Sequence, residues 1–145
     1  MNIYVISEAD ELWTPVADYV ETCSWDACAR MAAFMRANKF NDWERVFVAK
    51  ENGIIMGFCA LVQSNWFPEY NPLLKWLFVD EKYRGQRLSQ KLIEAAAEYA
   101  KQLAYDKIFL TTWHKGLYEK YGFEKICEKE VRDGYFEAVY SLDII

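Results

Sequence analysis

The sequence predicts a mixed α/β (α+β) fold, with a mostly antiparallel sheet, a central parallel βαβ unit and helices on both faces. Three observations predict this fold. Apolar residues recur with a helical period in some segments and form short strand-like runs in others. Two of these runs flank Asn52-Gly53, a strong hairpin signal because both positions tolerate positive φ. Two others flank a long amphipathic segment, and a helix of that length is typical of the connection between parallel strands.

The first predicted elements are a strand and a pair of helices. Ile3–Ile6 is rich in β-branched residues and predicts an opening strand. Thr14 before Pro15 is typical of an N-cap and first helical position, and Ser24 predicts the cap of a second helix that has Asp26 in its first turn. The apolar stripes of these two helices are Val16, Tyr19, Val20 and Cys23, followed by Cys28, Met31, Ala32 and Met35.

Strands dominate the middle of the chain. Val46–Ala49 and Ile54–Val62 are predicted to pair as a hairpin around Asn52-Gly53. Residues 65–72 contain two prolines and predict a loop. Leu73–Val79 has few polar residues, which is typical of a central strand.

The second half of the chain completes the βαβ unit and ends in a hairpin. Lys107–Thr112 is the predicted parallel partner of Leu73–Val79, and Gly116–Tyr121 predicts a short helix. Glu124–Val131 and Tyr135–Leu142 are predicted to close the sheet around an Asp-Gly turn. The long helix between the parallel strands presents one apolar face, formed by Leu88, Leu92, Ala95, Ala96, Tyr99 and Leu103.

Length and charge limit the classes of function. The chain has 145 residues and no stretch rich in Pro, Gly or Ser, so we expect residues 1–145 to form a single domain. The hydrophobic fraction of 53% is sufficient for a packed core. The net charge of −5 argues against nucleic-acid binding, which depends on the neutralisation of phosphates.

The cysteines and the N-terminal segment indicate a cytoplasmic protein without a metal. Each of the four cysteines lies in an apolar run, no CxxC pair occurs, and His114 is the single histidine, so a zinc site lacks ligands. We therefore expect reduced thiols and no metal. The N-terminus has no basic flank and no run approaches about 20 apolar residues, so we expect neither a signal peptide nor binding in a membrane. The four cysteines are Cys23, Cys28, Cys59 and Cys127.

The segment from Arg84 to Ser89 predicts an anion site. It joins a buried strand to the start of the long helix, where unpaired N–H groups and the helix dipole favour negative charge. Arg84 and Arg87 add positive charge to this site. The alternative is an ordinary turn that carries two solvated arginines.

Two motifs resemble those of the GNAT superfamily of N-acetyltransferases. Val-Asp-Glu-Lys-Tyr-Arg-Gly followed by a helix resembles motif A, whose signature is Q/R-x-x-G-x-G/A. Arg84 matches the first position, whereas Arg87 replaces the usual glycine and Ser89 replaces Gly or Ala. Leu-Tyr-Glu-Lys-Tyr-Gly-Phe at residues 117–123 resembles motif B and follows one strand later, as in the family. We expect Arg87 to serve as a phosphate ligand.

The resemblance implies an acetyl-CoA-dependent N-acetyltransferase, an acyltransferase that moves the acetyl group to a primary amine by direct attack in a ternary complex. Acetyl-CoA would be a co-substrate, and no metal is implied. The alternative is a catalytically degenerate sensor or interaction module that binds an acyl-CoA. The implied coenzyme-binding residues are Phe78, Val79, Arg84, Gly85, Gln86, Arg87, Leu88 and Ser89.

The resemblance also implies catalytic roles. Tyr118 would protonate the departing thiolate, the backbone N–H of Val79 would polarise the thioester carbonyl, and pantetheine would lie between splayed parallel strands. The alternative for Tyr118 is a packed ring with a solvated hydroxyl. For the base, His114, Glu69, Asp80 and a water relay stay open, and His114 is favoured by its ordinary pKa of about 6.5.

The acceptor is left open as a small-molecule or peptide amine, and a homodimer through the Tyr135–Leu142 strand is one further expectation. Five aromatic residues either line the acceptor pocket or belong to the core. They are Trp66, Phe67, Tyr70, Trp76 and Trp113.

Overall fold

The computed structural model describes residues 1–65, 67–113 and 116–144, and within them the chain forms a seven-stranded sheet in the order β1-β2-β3-β4-β5-β7-β6. The sheet is antiparallel except for the β4–β5 pair. The predicted mixed fold is therefore confirmed. The strands are β1 Asn2–Ile6, β2 Arg45–Glu51, β3 Ile54–Val62, β4 Leu73–Val79, β5 Lys107–Thr112, β6 Glu124–Arg132 and β7 Tyr135–Asp143; the helices are α1 Trp13–Glu21, α2 Asp26–Arg36 and α3 Leu88–Gln102; single turns of 3-10 helix cover Glu81–Tyr83 and Tyr118–Tyr121.

Two hydrophobic cores lie on opposite faces of the sheet. The first core packs α3 against the strands through residues such as Leu92, Ala96 and Phe47. The second core packs α1 and α2 against the other face through residues such as Val20 and Met31. Alternating side chains of β2 and β3 supply both cores, which explains why these strands read as nearly continuous apolar runs.

Both N-terminal helices begin away from the predicted sites, α1 two residues earlier and α2 one residue later. Helix α1 starts at Trp13, so Thr14 and Pro15 lie inside its first turn, and the residue before α2 is Trp25 rather than Ser24. Tertiary contacts of the tryptophans explain the shift. The indole of buried Trp13 donates a hydrogen bond to the carbonyl of Met35 at 3.0 Å, and Trp25 stacks on Phe78.

The Asn52-Gly53 turn is confirmed, with φ values of 50° and 79° that only a few residue types adopt at low cost. The short helix predicted over Gly116–Tyr121 is limited to the 3-10 turn at Tyr118–Tyr121, because Gly116 has a positive φ of 81°.

Strand β4 contains a bulge that the sequence pattern did not reveal. Phe58 pairs with Phe78 and Ala60 pairs with Lys75, so two residues of β4, Trp76 and Leu77, lie opposite the single residue between Phe58 and Ala60 on β3. Trp76 has a φ of 56°, which is unusual for a bulky residue. The extra residue places the side chains of Lys75 and Trp76 on the same face of the sheet.

The parallel strands β4 and β5 diverge soon after they meet. Leu73 pairs with Phe109, and no other register pair joins the two strands within the described residues. The Phe109 N–H donates to the Pro72 carbonyl at 3.0 Å, so the strands are held together at the start of β4. Toward Val79 an opening lies between them.

The prediction that the Tyr135–Leu142 strand pairs with a second copy is wrong. This strand is β7, and β5 and β6 already occupy its two edges. The edges of the sheet are β1 and β6. In the described part of the chain, no helix has the length and apolar character needed to cross a membrane.

Gly57 lets β3 approach the bulged part of β4 closely. A Cβ at this position would lie 2.7 Å from the carbonyl oxygen of Phe78 and 3.3 Å from the Cα of Val79. We expect Gly57→Ala to lower the free energy of unfolding by about 1–3 kcal/mol, because backbone atoms cannot move aside as a flexible side chain can. Urea unfolding monitored by circular dichroism measures this change.

The matched variant is Gly53→Ala, which meets no atom within 4 Å but has a φ of 79°. Its cost should be about 1 kcal/mol, from backbone strain alone. A Gly57→Ala protein as stable as the parent would show that β3 and β4 separate readily at this point.

Candidate active site

The backbone of Val79 faces the opening between β4 and β5. The N–H of Asp80 donates to the carbonyl of Met56 at 2.9 Å, so Gly57 and Val79 form a pair that exchanges no hydrogen bonds with each other. The N–H and C=O of Val79 therefore point away from β3, toward the side where β5 has diverged. Consistent with this direction, the Nε of Arg84 donates to the Val79 carbonyl at 3.1 Å. The Val79 N–H is thus a fixed donor in the opening.

Phe78 lies next to this opening, but neither its backbone groups nor its ring face it. The same alternation directs its backbone groups to Phe58 on β3. Its ring stacks between Phe58, at 5.3 Å, and Trp25, at 6.4 Å, on the face of the sheet that α1 and α2 cover.

The loop before α3 leaves a group of amides available. Residues 84–87 are exposed, whereas Leu88 is 3% exposed and anchors the helix start in the core. Within the described residues, the backbone N–H groups of residues 85–90 donate to no protein acceptor, and the Arg84 N–H bonds to Glu81 at 3.4 Å. Free amides at the start of a 15-residue helix are suited to an anion.

Arg87 adopts the backbone conformation that explains the usual glycine at this place. Its φ of 60° and ψ of 28° are left-handed, and it immediately precedes α3 without a side-chain cap. Such a conformation costs a non-glycine residue about 1–2 kcal/mol. The backbone at Arg87 therefore follows the path that a glycine would take at this position. The arginine side chain adds a cation beside the free amides.

Tyr118 is a half-buried phenol on the α3 side of the opening. Burial first, and then Tyr121 and Cys59, raise the pKa of Tyr118 to about 12. Its ring contacts those of Phe123 at 6.0 Å and Tyr140 at 6.4 Å, while its hydroxyl bonds to no group in the described parts of the chain. Cys59 lies on β3 opposite the bulge, and Tyr118 and Val79 both belong to the core on the α3 face of the sheet.

The candidate bases differ in their positions relative to Val79 and Tyr118. His114 lies outside the described residues, as does Trp66. Glu69 is exposed in the loop before β4, and none of the described contacts joins it to Val79 or Tyr118. The next residue, Tyr70, packs on Phe109 at 5.6 Å, so this loop is held at the end where β4 and β5 still pair.

Asp80 is a structural carboxylate in this structure. Its Oδ1 accepts the Lys82 N–H at 3.1 Å and its Oδ2 accepts the Tyr19 hydroxyl at 3.0 Å. The Lys82 hydrogen bond is the main cause that lowers the pKa of Asp80, and the same contact begins the 3-10 turn at Glu81–Tyr83. A carboxylate held in its charged form is a poor proton acceptor.

Aromatic residues divide between core and surface. Trp76 is 8% exposed and belongs to the core under α2, whereas Trp113 is 71% exposed at the end of β5. Phe67 and Tyr70 are half-buried, and their rings lie 6.2 Å apart. Sequence reasoning missed Trp25, which is 43% exposed and stacks on Phe78 on the face of the sheet that α1 and α2 cover.

In the described segments, no three side chains of His, Cys, Asp or Glu lie close enough together to hold a metal ion. All four cysteines are free; Cys28 and Cys59 are buried, and Cys23 and Cys127 are half-buried. Burial is the main cause that raises the pKa of the Cys59 thiol, so it stays protonated at neutral pH.

Comparison with known proteins shows the family of this chain and its fold. A family model described as an acetyltransferase (GNAT) domain matches residues 42–125. No curated protein matches the chain. An aminoglycoside 6′-N-acetyltransferase solved with coenzyme A is 14% identical, with a TM-score of 0.76 over 100% of this chain and 98% of that one.

Two further solved structures share the fold. YncA of Salmonella typhimurium, solved with acetyl-CoA, is 17% identical, with a TM-score of 0.67 over 100% of this chain and 94% of that one. YhbS of Escherichia coli, solved with coenzyme A, is 21% identical, with a TM-score of 0.72 over 99% of this chain and 81% of that one.

The left-handed Arg87 yields a stability prediction. We expect Arg87→Gly to raise the free energy of unfolding by about 1 kcal/mol, because glycine adopts this conformation without strain. The melting temperature should rise by about 2–5 °C in calorimetry. Gln86→Gly is the matched variant, since Gln86 is an exposed neighbour with an ordinary φ and should lose stability. Equal melting temperatures for Arg87→Gly and Gln86→Gly would contradict the strain at Arg87.

Proposed function

Because the chain belongs to the GNAT acetyltransferase family, we propose that it transfers the acetyl group of acetyl-CoA to a primary amine by direct attack in a ternary complex. The observation that carries this proposal is the position of the Val79 N–H, which faces the opening between the diverging strands β4 and β5. A fixed backbone donor at such a place suits an acyl oxygen on which negative charge develops.

The loop before α3 fits the diphosphate of coenzyme A. The free N–H groups of residues 85–90 supply donors, and Arg84 and Arg87 supply charge. Gly85 has a φ of 85°, and a Cβ there would meet nothing within 4 Å, so ligand atoms can approach its backbone. Pantetheine would then run from this loop along the edge of β4 toward Val79.

The acetyl thioester supplies an activated acyl group with a thiolate leaving group. The Val79 N–H donates to the carbonyl oxygen as the amine nitrogen attacks, the new C–N bond forms, and the C–S bond breaks. The Tyr118 hydroxyl donates a hydrogen bond to the departing sulfur. The amine proton passes to solvent, to Glu69 or to His114. Rates measured for variants of Glu69 and of His114 identify which of these groups is the base.

Tyr118 acts here more as a hydrogen-bond donor than as a strong acid. Its pKa of about 12 lies above the ordinary thiol value of about 8.5, so complete transfer of its proton to a thiolate is uphill. A fixed donor still stabilises the charge that develops on sulfur, in a partly dry environment where such contacts are strong.

The proposal is tested by following thiol release from acetyl-CoA in the presence of a panel of primary amines. Acetylation of at least one amine, with an amide product identified by mass spectrometry, supports the enzyme. Thermal stabilisation by coenzyme A without turnover of any amine would instead favour the alternative of an acyl-CoA-binding module. The absence of any affinity for coenzyme A would contradict both.

Arg87→Gly should change the stability of the fold and the affinity for coenzyme A in opposite directions. Although we expect this variant to be more stable, its affinity for coenzyme A should be weaker by about 1–3 kcal/mol, because a charge-assisted contact to phosphate is lost. Isothermal titration calorimetry at fixed ionic strength measures the change. Arg87→Lys, which keeps the charge, should retain most of the affinity, and unchanged or tighter binding by Arg87→Gly would show that the arginine points away from the phosphates.

Tyr118→Phe should lower kcat about 10²-fold with little change in affinity for coenzyme A, because the lost donor acts on the leaving sulfur. The matched variant is Tyr121→Phe, one helical turn on, which should keep a rate close to that of the parent. Steady-state kinetics and calorimetric titration provide the two readouts.

The pH dependence of this effect follows from the raised pKa. A phenol with a pKa of about 12 stays protonated up to pH 10, where an ordinary phenol is half ionised. The ratio of the parent kcat to the Tyr118→Phe kcat should therefore be constant from about pH 7 to 10. A ratio that halves by pH 10 would contradict the raised pKa, because it would show an ordinary phenol at this position. A wild-type rate in the variant would remove Tyr118 from this role.

A further inference from the structure

Lys75 is a charged residue on a central strand, and the bulge determines its direction. Because Trp76 follows with a φ of 56°, Lys75 and Trp76 share the face of the sheet that α2 covers. The Lys75 Nζ lies over the Trp76 ring, 4.7 Å from its centroid. Lys75 is exposed at the surface although its ammonium is partly desolvated, so the strained bulge presents a cation on the face of β4 that α2 covers.

Helix α2 presents a second cation to the same side. One flank of α2 faces α1, since Arg36 bonds to Asp18 at 2.8 Å and to Glu21 at 2.5 Å. Arg30 lies six residues earlier, about 120° around the helix from Arg36. Phe34, one turn after Arg30, contacts the Trp76 ring at 5.9 Å, so this flank overlies β4.

The charge of Arg30 acts on Lys75, and no ion pair in the described residues neutralises either cation. Desolvation first, and then the charge of Arg30, lower the pKa of Lys75, while Glu137 on β7 acts in the opposite direction and is the smallest of the three causes. In the described residues neither Lys75 nor Arg30 forms a salt bridge. Two like charges brought together without a partner favour an anion between them.

We propose that Lys75 and Arg30 bind an anionic group of the acceptor, so that the acceptor is a primary amine that also carries a carboxylate. This inference rests on the proposed acetyl transfer and specifies its substrate class. Lys75 precedes Val79 by four residues, at most about 13 Å along an extended strand. An amine beside the Val79 N–H and a carboxylate at Lys75 therefore belong to an extended molecule rather than to a simple α-amino acid.

The same charges disfavour polycationic acceptors. A second ammonium group placed near Lys75 and Arg30 would be repelled, and Glu137 would offset only part of this repulsion. Trp25 and Phe34 are each 43% exposed on this side of the sheet and supply apolar surface for the chain between the two ends of the acceptor.

The test uses three amines that share one alkyl chain: ε-aminocaproate with a carboxylate, hexylamine with no second charge, and hexamethylenediamine with a second ammonium. We expect kcat/KM for ε-aminocaproate to exceed that for hexamethylenediamine by about 10-fold or more. Lys75→Gln should remove most of this preference and leave hexylamine unchanged, whereas Lys75→Arg should retain it. Lys101→Gln, on exposed α3, is the matched control and should behave as the parent does.

The outcomes separate this inference from the function on which it rests. Turnover of hexylamine with no preference for the carboxylate, or with a preference that Lys75→Gln retains, overturns the anion site and leaves the acetyltransferase. If no amine is acetylated, calorimetric titration of the coenzyme A complex with the same three amines decides the matter. Saturable binding of ε-aminocaproate that Lys75→Gln weakens about 10-fold supports the site, and equal binding by both proteins overturns it.

Discussion

The constraint on which the rest of the molecule depends is the separation of β4 from β5. A parallel pair inside a sheet would normally satisfy its backbone groups along its whole length. Here the strands are joined at Leu73 and Phe109 and then part, which leaves the polar groups of Val79 without a neighbouring strand. The bulge at Trp76 and the absence of a side chain at Gly57 shape β4 at this point. The opening is thus built from backbone, and the side chains around it supply charge and shape.

The sheet and the loop before α3 act on the same ligand from two directions. Leu88 fixes the start of α3 in the core, and Asp80 fixes the turn that leads to it through Lys82 and Tyr19. Helix α1 therefore supports the loop by a hydrogen bond from one side, while the α3 core supports it from the other. A rigid cradle of this kind reduces the entropy lost when a flexible coenzyme binds.

Much of the fold could be predicted from the sequence, because the periodicity of apolar residues and the residues at the turns indicate the same elements that the structure contains. The bounds of β4 and β5 and the start of α3 follow from apolar runs and from the amphipathic segment between them. The bulge could not be predicted in this way, because Trp76 and Lys75 fit a strand pattern and the left-handed φ comes from tertiary packing. Gly57 was the available signal, since an isolated glycine within a strand often marks a bulge or a close approach. Motif resemblance pointed to Tyr118 and Arg87, but the conformation of Arg87 and the position of Glu69 required coordinates.

The β6 edge of the sheet has a consequence for behaviour at high concentration. Most of its nine residues, Glu124–Arg132, are charged, and both signs occur. A charged edge strand of this kind disfavours edge-to-edge pairing with a strand of another molecule. The opposite margin, β1, spans five residues and offers little length for such growth. The charges of β6 therefore disfavour the addition of another strand at that margin.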